Sequence, residues 1–357
     1  MRIMIVTDAW APQINGVVRT LATLAGELRA GGHEVVMVTP DQFHTVPCPS
    51  YPEIRLALLP GRRVARLIEE TRPGAIHIAT EGPLGWAARN YCVRHNLPHT
   101  TAYHTRFPEY VRARFGVPLP VSYAVVRRFH AAARTMMVAT QTVEDELRAR
   151  GFRHIRRWGR GVDTRLFRPG LGPVYDPPRP IFLYVGRLAV EKNVEAFLSL
   201  DLPGSKVAVG DGPQADDLRR RFPDAHFPGL KRGQELAAHY ADADVFVFPS
   251  RTDTFGLVLL EALACGLPVA AYPVAGPLDV LGAAPVGCLD PDLGAAARGA
   301  LAICRAGCRR YAEAFSWTAS ARQFLDNLST FDWDHSRDLS HPDLVLFQHA
   351  LSDGGPA

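Results

Sequence analysis

The chain has 357 residues, 47% of them hydrophobic, and a formal net charge of +4. That length makes two domains the natural expectation, and no apolar run reaches the roughly 18 residues of a membrane span. The six cysteines form no CxxC pair and Met1–Val6 is too short for a signal core, which points to a soluble cytoplasmic protein with free thiols. The charge is uneven. Up to Gly170 there are 24 Lys+Arg against 13 Asp+Glu, giving +11, and the remainder carries −7. A basic half, carried by arginine, suggests an anionic partner.

The first half alternates strands and helices. Arg2–Val6 reads as a strand, followed by a loop, Asp8–Gly16. A helical stripe of Val17, Leu21, Leu24 and Leu28 ends at Gly31-Gly32, and Val35–Val38 closes a βαβ unit. No GxGxxG follows the first strand, which argues against a dehydrogenase. Gly16, at the mouth of a helix, can let backbone N–H groups approach a phosphate or can be an ordinary turn glycine. Strands follow at Ala75–Ala79, His99–Tyr103, Met136–Ala139 and Ile155–Trp158, with a helix over about Leu84 to His95. The second of these strands, His99–Tyr103, delivers His104 to the carboxyl edge of the sheet, where imidazole can donate to a sugar hydroxyl or serve structure.

Two basic segments could lie on an anionic membrane. One is the short amphipathic helix with Arg62, Arg63 and Arg66. The other, from Tyr110 to Arg134, interleaves Arg112, Arg114, Arg127, Arg128 and Arg134 with Phe115, Val117, Leu119, Tyr123, Val126 and Phe129. Ordinary solvated helix faces are the competing reading. No nucleic-acid recognition module is evident.

Arg168–Pro180 is dense in Pro and Gly and reads as a linker. A second βα series begins at Ile181–Val185, whose first turn carries Arg187 and Lys192, two cations suited to a diphosphate or to surface salt bridges. No GxxxxGK[ST] occurs, so an ATPase is excluded. Asp242/Asp244 and Asp332/Asp334 have DxD spacing, but neither pair is assigned as a metal site. The apolar strand Val245–Phe248 then leads through Pro249–Gly256 into a helix with Leu257, Leu260, Glu261 and Ala264. A helix N-terminus at the carboxyl edge of a parallel sheet suits an anionic ligand, and Asp253 and Glu261 bracket it.

With these residues together, the sequence resembles the retaining glycosyltransferases of family 4, whose fold is GT-B: two Rossmann-like doubly wound parallel-sheet domains facing across a cleft. The matching pieces are Asn15–Val18, Gly161–Asp163 with Phe167–Pro169, Gly186–Leu188 with Glu191–Asn193, Val209–Pro213 and Pro249–Gly266. Thr252–Gly256 and Tyr103–Thr105 are similar to branches containing GDP-mannose-dependent α-mannosyltransferases and sulfoquinovosyl- and glucuronosyl-diacylglycerol synthases. The resemblance implies an acceptor-side domain over 1–168, a linker over 169–180, a nucleotide-sugar domain over 181–316, and a crossing helix and tail over 317–357.

The resemblance also implies roles. The family's E-x7-E pair falls on Asp253 and Glu261, with Glu261 on the ribose hydroxyls. Asp253 and the main chain of Thr254, Phe255, Gly256 and Leu257 would hold the donor sugar. Arg187 and Lys192 would neutralise the diphosphate in place of a metal, and Gly16 would meet the distal phosphate. His104 would stand near the anomeric carbon, and Lys231 lies where the base is held. Asp in place of the first Glu, and Arg160 where Asn usually precedes Gly-Val-Asp, depart from the family pattern. The expectation is transfer with retention from GDP-mannose or a UDP-sugar, without cofactor or metal. The acceptor would be a lipid such as diacylglycerol or a phosphoinositide, or else a soluble sugar or glycan. A nucleotide-sugar epimerase or hydrolase, and a partner subunit that binds nucleotide sugar without turnover, are the alternatives.

Overall fold

The computed structural model describes residues 1–333 apart from Ile14, Pro49, Ser50, Pro177 and Thr254, and leaves out the side chains of Tyr51, Pro52, Glu53, Ala113 and Arg114. Thr254, the Arg114 side chain, Asp334 and the tail beyond it therefore lie outside the described residues.

The first unit contains β1 (Arg2–Val6), α1 (Gly16–Ala30), β2 (Glu34–Val38), the hairpin β3 (Thr45–Cys48) and β4 (Tyr51–Ala57), α2 (Gly61–Thr71), β5 (Ala75–Ile78) and α3 (Pro83–Arg94). It continues with β6 (Thr100–Tyr103), α4 (Phe107–Phe115), α5 (Leu119–His130), β7 (Thr135–Val138), α6 (Gln141–Ala149) and β8 (Ile155–Arg157). Its sheet runs β2-β1-β5-β6-β7-β8, all parallel. Burial on both faces explains the unbroken apolar runs: Ile3 to Val6 are fully buried. On α1, Leu21, Leu24 and Leu28 point into the core at helical spacing, and the Asn15 side chain caps the helix by accepting from Val17 and Val18 N–H.

The second unit contains β9 (Ile181–Val185), α7 (Val194–Leu198), β10 (Ser205–Val209), α8 (Ala215–Arg221), β11 (His226–Gly229), α9 (Gly233–Asp242) and β12 (Val245–Phe248). It ends with α10 (Leu257–Ala264), β13 (Val269–Ala271), α11 (Ala275–Leu281), β14 (Gly287–Leu289), α12 (Leu293–Ala300) and α13 (Arg305–Ala312), before α14 (Trp317–Asn327). Its parallel sheet runs β11-β10-β9-β12-β13-β14. Two parallel α/β units of this kind make the GT-B architecture that the resemblance implied.

Helix α14 packs against α1 of the first unit. Its Phe324 joins the core of Leu21, Leu24 and Leu28. Its Ser320 accepts from the Trp158 indole at 3.2 Å, and its Gln323 accepts from the Gly159 N–H at 2.7 Å. Beyond it, the Trp333 indole donates to the Pro73 carbonyl at 2.8 Å. The Asp242/Asp244 pair is structural here. Asp242 accepts from Val174 and Tyr175 N–H, and Asp244 accepts from Ile181 N–H and pairs with Arg179 at 2.9 Å.

The second basic segment differs from its expectation. It breaks into α4 and α5 at Gly116, whose left-handed φ of +66° ends α4. Tyr123, Val126 and Phe129, interleaved with the arginines in sequence, are buried in the core. Phe115, of the same interleaved set, is exposed, and so are Phe107, Val121 and Val125, which lay outside it. A 3.6-residue stripe fits a core face as well as a membrane face, and packing chose the core.

Candidate functional site

The strand order of the second sheet reverses between β9 and β12, so turns leaving the carboxyl ends of these strands form a crevice. The turn after β9 carries Arg187, and the 3₁₀ turn that follows ends on Lys192. Gly210 lets the neighbouring turn pack against this one: a Cβ there would lie 1.9 Å from the Gly186 carbonyl oxygen. The loop after β12 is tied to the same place. Asn193 donates to the Pro249 carbonyl at 3.1 Å, and the Thr252 hydroxyl to the Glu191 carbonyl at 3.3 Å.

This stitching brings Lys192 and Asp253 into an ion pair through Nζ and Oδ1. Burial alone would lower the Lys192 ammonium, but the adjacent carboxylate carries the balance upward, so the charge is retained. Asp253 Oδ2 is buried and has no hydrogen-bond partner among the described residues. A buried carboxylate oxygen with spare acceptor capacity is suited to a ligand hydroxyl.

Gly256, at φ +84°, forms the N-cap of α10, and a Cβ there would press on Phe248 at 3.1 Å. Only glycine turns the loop into the helix this closely. Residues 259–264 of α10 are buried all round, as a helix wedged behind a sheet must be. Within it, Glu261 is 3% exposed, accepts from the Tyr240 hydroxyl at 3.0 Å and pairs with Arg19 of α1. Leu257 reaches the same helix, since a Cβ on Gly16 would stand 4.0 Å from its Cδ1. The start of α1 thus faces α10 across the two units, Gly16 at Leu257 and Arg19 at Glu261. Phe255 is half-buried against the core of the second unit. Lys231 stands apart, after the edge strand β11, with Nζ 3.9 Å from Glu235.

On the opposite wall, His104 follows β6 and is half-buried. Its ring meets Trp158 edge-on at 5.6 Å, and Arg160 Nη2 lies 3.2 Å from its Nδ1. Burial, reinforced by Arg160, His77 and His130, holds the imidazole well below the ordinary histidine range. It is neutral at pH 7.

Three residues escaped the sequence reading. Arg19 is one. Tyr110, on α4, is another: it hydrogen-bonds to the Thr252 side chain and lies in the field of Lys192 and Asp253, while burial raises its phenol. Asp8 is the third. It is 7% exposed and accepts from Leu84 and Gly85 N–H and the Thr80 hydroxyl, capping α3 at the switch point of the first sheet. An aspartate directly after the first strand was its only signal.

The membrane-contact candidates lie elsewhere. Arg62, Arg63 and Arg66 are exposed along α2, whose Val64 and Ile68 face the core. Leu58 and Leu59, just before that helix, are 51% and 96% exposed. Arg112 is exposed on α4. No helix among the described residues is long and apolar enough to cross a membrane, and no group of three His, Cys, Asp or Glu side chains there could hold a metal ion.

The family description "Glycosyltransferase Family 4" matches residues 14–166, and "Glycosyl transferases group 1" matches residues 179–305. The chain is 34% identical over 309 residues to a GDP-mannose-dependent alpha-mannosyltransferase of Mycobacterium tuberculosis, covering 79% of this chain and 81% of that protein. It is 28% identical over 320 residues to the alpha-monoglucosyldiacylglycerol synthase of Streptococcus pneumoniae, covering 76% and 71% respectively. Among solved structures, sucrose-phosphate synthase from Thermosynechococcus elongatus superposes with a TM-score of 0.74 at 23% identity, over 91% of this chain and 97% of that one. That last likeness speaks to the fold.

Proposed function

The chain belongs to glycosyltransferase family 4, and from that premise we propose that it is a retaining, metal-independent hexosyltransferase acting on a membrane lipid. The donor is GDP-mannose or a UDP-sugar, the transferred group a hexose or hexuronate, and the product an α-glycoside. The observation that carries the reading is the Lys192–Asp253 pair, with one carboxylate oxygen still open, beside the buried Glu261.

In this reading Glu261 accepts from the ribose hydroxyls and Asp253 from a hydroxyl of the hexose. Arg187 and Lys192 meet the diphosphate and stabilise the charge that grows on it as the glycosidic bond breaks. The N–H groups at Gly16 add to that field from the facing helix. His104 donates to the sugar near the anomeric carbon. A donor phosphate oxygen takes the acceptor's proton, so no protein nucleophile is required.

The lipid acceptor rests on the exposed Leu58-Leu59 beside Arg62, Arg63 and Arg66, and on the relative named for a diacylglycerol product. The protein would then work in the cytoplasm, docked on the inner face of the membrane, in glycolipid synthesis. A panel of GDP- and UDP-sugars screened by thermal shift identifies the donor. Incubating that donor with diacylglycerol and phosphoinositide vesicles, with and without EDTA, then gives the product and its anomeric configuration. A β-anomer, free sugar as sole product, or loss of rate in EDTA would overturn the corresponding part of the proposal.

A further inference from the structure

Arg160 departs from the family pattern, and its surroundings are unusual for an arginine. It is 6% exposed, on the turn after β8. Its guanidinium lies over the Trp158 ring, 4.0 Å from the centroid. Nη1 donates to the Trp158 and Gly159 carbonyls at 2.6 and 3.1 Å, and Nη2 stands 3.2 Å from His104 Nδ1. No carboxylate pairs with it among the described residues. Burial pulls it down to about 9, with no counter-charge opposing the shift. A buried cation without a counter-ion is costly, so the contact it does make carries weight.

A guanidinium has five N–H donors and no acceptor. His104 Nδ1 can meet it only as an acceptor, and a neutral imidazole accepting at Nδ1 carries its proton on Nε2. A protonated imidazole would set N–H against N–H. The other titratable groups facing His104 oppose protonation too: His77 on β5, and His130 on α5, which itself bonds Glu81 at 3.1 Å. An asparagine in place of Arg160 could offer either an amide N–H or a carbonyl, and would leave the tautomer open. Arginine cannot.

We propose that Arg160 is a positioning residue: it fixes His104 as the neutral tautomer whose Nε2–H is offered to the donor sugar, and so excludes His104 as a general base. This rests on the placement of His104 at the sugar given above.

The test begins with the wild-type protein, labelled with ¹⁵N-histidine and followed by long-range ¹H–¹⁵N correlation from pH 5.5 to 8.5. The His104 signal, assigned by its loss in His104→Gln, should show an unprotonated Nδ1 and a protonated Nε2 throughout. In Arg160→Met that pattern should give way to titration or to a mixture of tautomers. Transfer by Arg160→Met should fall in kcat by about 10–100-fold with the donor KM little changed, as for other residues that orient a functional imidazole. Arg160→Lys, which still only donates, should recover part of the loss. A protonated Nδ1 in the wild type, or an unchanged tautomer and kcat in Arg160→Met, overturns the proposal. Normal transfer by His104→Ala overturns the reading of His104, and with it the catalytic use of Arg160, while the spectrum still decides the tautomer.

Discussion

Arg19 of the first unit and Glu261 of the second form an ion pair across the cleft, and Glu261 keeps a second bond from Tyr240. The pair is asymmetric: the Arg19 side chain is 42% exposed and that of Glu261 only 4%. Solvent screens Arg19, so it can leave at small cost, whereas the Glu261 carboxylate stays fixed in the wall. Nucleoside binding can therefore exchange Arg19 for the ribose hydroxyls. Glu261→Gln is expected to weaken nucleoside diphosphate binding by about 10–100-fold, the worth of roughly 1.5–3 kcal/mol for bonds to a charged acceptor. Arg19→Met should weaken it by less than about fivefold, since the solvent-screened Arg19 contributes under roughly 1 kcal/mol. Titration calorimetry of both variants decides; equal losses would sink the exchange.

Arg187 and Lys192 differ in what else they do. Lys192 is the counter-charge of a largely buried Asp253, whereas Arg187 sits half-buried in the turn after β9. Both substitutions to alanine should lower kcat/KM by roughly 3–4 kcal/mol, a few powers of ten, as expected for charges aimed at a leaving group. Lys192→Ala should also lower the thermal midpoint, because it strands a carboxylate. Kinetics and calorimetry on the two variants separate these effects. An Arg187→Ala enzyme with unchanged turnover refutes the assignment.

The sequence made legible whatever is local. Buried parallel strands such as Val245–Phe248 announce themselves as apolar runs, and the Asp253–Glu261 stretch follows from a strand, a loop with Gly256 and a helix. The hairpin β3–β4 was not read, since Pro47 interrupts its alternation and its register shifts after that residue. Nor were the contacts that join the two walls. Arg19 lies 242 positions from Glu261, on the face of α1 away from the Leu21–Leu28 stripe, where it looks like any solvated arginine. Tyr110 stands in the segment read as basic and amphipathic, and only the docking of the units turns it toward Thr252. Period and composition specify which face of a helix is apolar. They do not specify what that face meets.

Two buried histidines set an acid limit on stability. His77, bonded to the Thr100 hydroxyl at 2.9 Å and packed between Trp158 and Phe324, is pushed down to about 3 by burial and then by Arg160. His99 is pushed down to about 4 by burial, with the Leu97 carbonyl opposing and Arg89 and His130 assisting. Both are neutral when folded but titrate near 6.5 in the unfolded chain. Their stabilisation is therefore whole above pH 6.5 and is lost as pH falls toward their folded values, because the unfolded state binds more protons. Each costs about 1.4 kcal/mol per pH unit within that window, so the pair costs about 4 kcal/mol between pH 6.5 and 5. Urea unfolding at both pH values should show at least this loss, to which His104 adds, and His77→Gln should remove its own share, about 2 kcal/mol. A midpoint independent of pH over this range would refute the argument.

The helix α2 offers the clearest test of membrane docking. Arg62, Arg63 and Arg66 are exposed, and Arg63 lies over the Phe43 ring at 5.4 Å, so the basic face borders an aromatic one. Leu58 and Leu59 precede it without burial, a costly exposure for a chain that never meets an apolar phase. Each arginine near an anionic surface contributes on the order of 1 kcal/mol, within a Debye length of about 10 Å at 0.1 M salt. Replacing all three by glutamine should therefore lower partitioning onto vesicles containing anionic lipid by about 100-fold at low salt. Leu58→Ser with Leu59→Ser should weaken binding at high salt as well, since apolar insertion is not screened. The same variants should keep their thermal midpoints, because Val64 and Ile68, not the arginines, hold α2 to the core. Flotation of the wild type with neutral and anionic vesicles supplies the reference, and failure of the wild type to float with anionic vesicles would remove the lipid-surface argument.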